Sequence, residues 1–331
     1  MTSRRLRLPK PRPLTGEVFA LIDEDSDGLP DTSELIASGL DLPNALAYDA
    51  VSDALYIAGG ARIDRYRPGE DLVTLVDDLP AGIGLWTGGL LLHEGWIYVG
   101  LGAPCEACEF DDSERGAILR FDLQGQQRSV IARGLRQPLA LVWFEDALWA
   151  TDTARFAAMA TPQLDELNRI ELGGHYGAPY CQGANNAPDL PSDFDCTQAL
   201  PPRLTFPTQS FPTALAAYTG DAFPHLQGRL LLLLGGSFTA PDPRGSEVLA
   251  ITLEEEGRAT ISVLLPYDDS ITPGGDYAYQ PARGYANGST AVLTRRGASF
   301  WPLRLLGMAV SLQGWIFLSV SDGQIFALRP R

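Results

Sequence analysis

Apolar residues along this chain come in short, strand-sized runs with frequent alternation, and Gly- or Pro-bearing turns separate them. A loose unit recurs: a Gly-Leu or Pro turn, an apolar strand, a tight turn, then an aromatic-bearing strand. It reads SGLDLPNALAYDAVSDALYIAGG, then GIGLWTGGLLLHEGWIYVGLG, then RGLRQPLALVWFEDALWATDT; a more distant copy is SFPTALAAY followed by GRLLLLLGGS, and the last is LRLLGMAVSLQGWIFLSVSDG. Further strands follow each copy, such as AILRFDLQG and RSVIARGL. Four strands per unit in radial repetition is the logic of a propeller blade, so the pattern predicts an all-β β-propeller with five or six four-stranded blades. GEVFALID and ELIASGL read as the back half of one blade, and GMAVSL, GWIFLSV and GQIFALR as the front of another. Pairing these N- and C-terminal strands in one sheet would close the ring and hide its edges.

Composition agrees: 34 Gly and 25 Pro in 331 residues favour many turns over long helices. The net charge is −16, and five basic residues (Arg4, Arg5, Arg7, Lys10, Arg12) lie in the first twelve positions with no acid among them. The remaining 20 basic and 41 acidic side chains leave the body at −21. Such a body repels phosphate backbones, so nucleic acid is not an expected partner. No apolar run reaches the ~18–20 residues of a membrane span. Residues 1–14 are expected to be a flexible basic segment and 15–331 a single propeller domain. Within it, residues 266–302 are Gly-, Tyr- and Pro-rich without periodicity and are expected to form a long irregular loop.

Residues 23–34 read DEDSDGLPDTSE. Asp23, Asp25 and Asp27 alternate, Gly28 permits a sharp turn, Leu29 stands where the calcium-loop pattern uses a main-chain carbonyl, Asp31 follows and Glu34 closes. The preceding EVFALI is strand-like, so the expectation is a structural calcium loop on a β-hairpin; the alternative is a solvated acidic turn. Cys181 and Cys196 flank a polar loop and read as a disulfide. Cys105 and Cys108 form a C-x-x-C without a nearby His or a βαβ context, which favours a second, tight disulfide over zinc or redox use. Two disulfides imply an oxidising compartment, hence a periplasmic or extracellular protein whose export signal is not visible.

Three clusters carry further chemistry: Gly134-Leu135-Arg136-Gln137-Pro138, Asp165-Glu166-Leu167-Asn168, and Gly173-Gly174-His175-Tyr176-Gly177. Their order and spacing resemble the soluble sugar dehydrogenases that use pyrroloquinoline quinone (PQQ), the glucose and sorbosone dehydrogenase type. The resemblance implies a six-bladed propeller holding PQQ and calcium at the mouth of its channel, cysteine pairs at both places seen here, and a sugar substrate. It implies that Arg136, with Gln137 in place of an asparagine, and Arg304 hold the cofactor, and that Asp165 and Glu166 help shape a second calcium region. The family's catalytic histidine position is filled by Leu85, which accepts no proton, and its basic residue near Gly235-Gly236-Ser237 is missing. The expectation is therefore a degenerate, non-catalytic propeller, a pseudoenzyme acting as a binding or assembly subunit with a protein partner. The alternative is a divergent PQQ- and calcium-dependent sugar or alcohol oxidoreductase.

Overall fold

The computed structural model describes residues 16–25, 30–80, 86–105, 108–109, 114–154, 164–181, 193–236, 247–254, 258–265, 277–279, 304–321 and 323–330. Strands dominate, and five small sheets are arranged as a five-bladed β-propeller. A hairpin precedes the blades: β1 (Gly16–Ile22) pairs antiparallel with β2 (Thr32–Leu40). The first blade is β3 (Pro43–Asp49), β4 (Ala54–Gly59), β5 (Arg62–Tyr66) and β6 (Val73–Val76). The second is β7 (Thr87–His93), β8 (Trp96–Leu101), β9 (Ala117–Asp122) and β10 (Ser129–Arg133). The third comprises β11 (Pro138–Phe144), β12 (Ala147–Asp152) and β13 (Asp165–Ile170); the short β14 (Gly174–His175) then pairs parallel with β10 of the second blade, and β15 (Leu204–Phe206) completes the third. The fourth is β16 (Pro212–Ala217), β17 (Leu230–Leu234), β18 (Glu247–Leu253), β19 (Ala259–Leu265) and β20 (Tyr277–Tyr279); the fifth is β21 (Leu305–Val310), β22 (Ile316–Val320) and β23 (Ile325–Leu328).

The recurring sequence unit is thus the first two strands of each blade, and the blade number is five. The number of strands per sheet is less regular than four: the fifth blade has three among the described residues. The expected pairing of the two chain ends in one sheet is corrected. Among the described residues, β1 and β2 bond to each other, and β21–β23 form a sheet of their own. The reason is local. A hairpin satisfies its backbone groups most cheaply with its own neighbour, and Val18, Ala37 and Leu40 find an apolar partner in Ile57 of the first blade, giving a small core there. Of the region read as one long loop, only β20 is described, and it adds to the edge of β19.

The core lies between blades. Strand alternation sends one face of each sheet to one neighbour and the other face to the next. Trp149, Leu167 and Phe206 of the third blade pack with Leu230, Leu232 and Leu249 of the fourth. Tyr98, Ile118 and Ile131 of the second pack with Leu141, Leu148 and Ile170 of the third. Leu231, Leu233 and Val248 meet Leu305, Ile316 and Leu318 of the fifth. The second and third blades approach closely at Pro138: a Cβ at Gly88 of β7 would lie 1.8 Å from the Pro138 carbonyl oxygen, and one at Gly100 of β8 2.5 Å from it. That seam excludes side chains, which is why glycine stands at both positions.

Candidate functional site

The sequence clusters around Arg136 and Asp165 converge where inner strands begin and their neighbours end. Arg136 and Gln137 directly precede β11, Asp152 ends β12, Asp165 opens β13, Phe211 precedes β16 and Arg304 precedes β21. Asp152 is the knot. One carboxylate oxygen accepts the Arg136 N–H at 2.7 Å; the other accepts Gln137 N–H at 2.5 Å and Thr153 N–H at 3.0 Å. Asp165 does the same between blades, accepting Ala154 N–H at 2.7 Å and Phe211 N–H at 2.9 Å. Both acids are fully buried. Burial pushes Asp152 up to about 6 and Asp165 up to about 7, against the opposing pull of their N–H donors and of the Arg136 charge.

Arg136 is 3% exposed. Its guanidinium donates to the Thr153 hydroxyl at 2.7 Å and the Thr153 carbonyl at 3.2 Å. Gln137 is buried too, and among the described residues its amide nitrogen has no hydrogen-bond partner. Arg304 is half-buried, with its guanidinium 5.1 Å from the centre of the Phe211 ring. A chain of contacts therefore joins the two arginines: Arg136 acts electrostatically on Asp165, Asp165 holds the Phe211 backbone, and the Phe211 ring carries Arg304. Asp165 and Glu166 are consecutive in β13 and so point to opposite faces. Glu166 accepts the Asn168 amide N–H at 3.1 Å. Leu85 lies outside the described residues; Trp86 beside it is exposed.

Three carboxylates of the acidic loop come together. Carboxylate oxygens of Asp23, Asp25 and Asp31 lie within 4.8 Å of one another at the exposed hairpin tip. Asp31 also accepts the Glu24 N–H at 2.8 Å, tightening the turn. Glu34 sits in β2 opposite Ala20 and is not in that group; Asp27 and Leu29 lie outside the described residues. The four cysteines pair as expected, Cys105–Cys108 and Cys181–Cys196. No described histidine sits with the arginines. His93 stacks on Trp143 with ring centres 3.8 Å apart. His175 packs on Phe194 and accepts the Gly177 N–H at Nδ1, and burial lowers its pKa.

Residues 118–259 match the family model described as Glucose / Sorbosone dehydrogenase. The resemblance read from the sequence is borne out. Three solved structures share the fold. A Trichoderma reesei carbohydrate-active enzyme of family AA12 aligns with a TM-score of 0.69 at 16% identity, over 99% of this chain and 100% of its own. The PQQ domain of Coprinopsis cinerea pyranose dehydrogenase, in its holo form, gives 0.67 at 14%, over 92% and 86%. The soluble aldose sugar dehydrogenase of Escherichia coli, in its apo form, gives 0.59 at 15%, over 85% and 80%. No curated protein matches. The glucose/sorbosone dehydrogenase match contains Arg136, Gln137, Asp165 and Glu166, whereas the acidic loop, Leu85 and Arg304 lie outside it. Asp152 and Thr153 lie inside it and were missed by the sequence reading. Their only signal is a polar Thr-Asp-Thr run closing a strand that is otherwise apolar.

Proposed function

We propose that this chain is a degenerate glucose/sorbosone-dehydrogenase-like propeller that acts as a binding or assembly subunit outside the cytoplasm and does not oxidise sugars. The observation that carries this reading is the environment of Arg136. An anionic quinone tricarboxylate needs cations turned toward it. Here the arginine is buried, hydrogen-bonded to Thr153, and flanked by the carboxyl groups of Asp152 and Asp165. These residues fit a loop-fastening network better than a PQQ cradle. Leucine at position 85 leaves the proton of a substrate hydroxyl without an acceptor there. The two disulfides support an oxidising compartment.

A second reading rests on one feature. The buried Gln137 amide nitrogen lacks a partner among the described residues, and Arg304 stands at the same end of the blades. A divergent PQQ- and calcium-dependent sugar dehydrogenase would use such donors to hold an acidic ligand. The two readings separate when PQQ and Ca²⁺ are added to purified protein, followed by calorimetry and a dye-reduction assay with several aldoses. The expected result is no turnover in the wild type. Turnover would overturn the first reading, and Leu85→His should then raise the rate.

A further inference from the structure

The hairpin β1–β2 presents a surface that no other described strand pairs with. Its inner side feeds the small core with Ile57. On the other side, Phe19 and Leu21 are one strand repeat apart and point the same way, and Phe19 pairs directly with Leu35. The three are 51%, 49% and 47% exposed. Among the described residues no strand bonds to the free edge of β1 or of β2. Exposed strand edges are usually blunted with charges, Pro or a bulge; in β1 the bulge and Glu17 are confined to Gly16–Phe19, and Phe19–Ile22 run in regular register without Lys, Pro or any charge. A lone two-stranded sheet is marginal in water. The charge around it is one-sided: residues 16–40 carry seven acids (Glu17, Asp23, Glu24, Asp25, Asp27, Asp31, Glu34) and no Lys or Arg.

We propose that this face is a docking site for an extended segment of another protein, in which apolar residues alternate with Lys or Arg. The segment adds as a strand to the free edge of β1. Its apolar side chains lie beside Phe19 and Leu21, continuing the apolar face that runs on to Leu35 of β2, and its cations meet the acids of the hairpin. A second copy of this chain is the poorer occupant, because its body carries −21 outside the basic first twelve residues. The proposal rests on the binding-subunit reading and names its surface. Sugar turnover would sink that reading without touching this face, and failure here leaves the quinone assay unchanged.

The test uses the full chain and a fluorescent octapeptide of alternating leucine and lysine, read by anisotropy. The expected result is binding that weakens with salt and falls by about tenfold or more in the double variant Phe19→Ser, Leu21→Ser. Leu172→Ser, at an exposed site on the third blade, should leave it unchanged. Circular dichroism checks the folding of the double variant, and Leu35→Ser serves in its place if it fails. Three outcomes would overturn the proposal: no binding, equal binding by a peptide with the leucines and lysines in two blocks, or undiminished binding by the serine variants. Sedimentation of the wild type as a dimer that Phe19→Ser splits would also overturn it, in favour of self-association.

Discussion

The second, third and fourth blades differ sharply from the sheets at the two chain ends. In the middle blades, β8, β12 and β17 are buried almost throughout, and each blade is packed on both faces. Of the fourteen described large apolar side chains that are exposed, only Trp86 and Leu172 belong to this region. The other twelve lie on the hairpin, the first blade or the fifth, Leu46 and Tyr48 of β3 and Leu306 of β21 among them. The family match, residues 118–259, falls within the middle blades. A blade flanked on both sides is held by two interfaces, so its sequence is confined to apolar, close-fitting residues. The first blade is also packed on both faces, on the second blade and on the hairpin, and its β4 is as buried as β8, so the freedom to change at the chain ends lies in the hairpin, in the outward side chains of β3 and in the fifth blade. The pseudo-symmetric repeat therefore hides two regimes: a constrained middle and permissive ends.

The largest test of this contrast is a pair of substitutions. Leu232→Ala, in the fully buried β17, should cost about 4 kcal/mol of unfolding free energy in a denaturant titration, whereas Phe19→Ser should cost less than about 0.5 kcal/mol. Equal losses would erase the distinction. Next is pH. Asp152 and Asp165 have folded pKa values raised above the unfolded one, to about 6 and about 7. The folded state then holds these protons longer, so their contribution is fully present below about pH 4 and is lost as pH rises through 6 to 7. For Asp152 alone this is roughly 3 kcal/mol. In EDTA, the wild type should lose stability across that window, and Asp152→Asn should show a flatter profile; parallel profiles would mean that Asp152 is ionised throughout. The smallest effect is expected at the hairpin. Calcium should slow hydrogen exchange in β1 and β2 by an amount worth about 1 kcal/mol or less at millimolar metal, and Asp25→Asn should abolish the change. Protection spreading evenly over all five blades would place the ion elsewhere.

The strands were legible because burial between blades imposes alternation directly on the sequence. The two-strand repeat marked the inner half of every blade, and the cysteine pairs followed from spacing. Which strand pairs with which at the chain ends was not legible, because β1 and β23 carry the same apolar signal whether or not they meet. In the site, Arg136 was found by its motif, but its direction was not. That depends on Thr153, seventeen positions away, whose hydroxyl and carbonyl both take its protons. Asp152 was missed because a single acid at a strand end reads like any solvated turn residue. Only the fold shows it buried beneath three amides.

The glycine seam at Pro138 bears on how the molecule assembles. Around Pro138, Gly88 and Gly100 bring backbone against backbone, so at that point the second and third blades have no side chain to take up a misfit, although apolar side chains fill the rest of their interface. A shift of register there would drive a side chain of one strand into the backbone of the other. Amide protons on both sides of the seam should therefore exchange as one cooperative unit, the last to open when the native protein fluctuates.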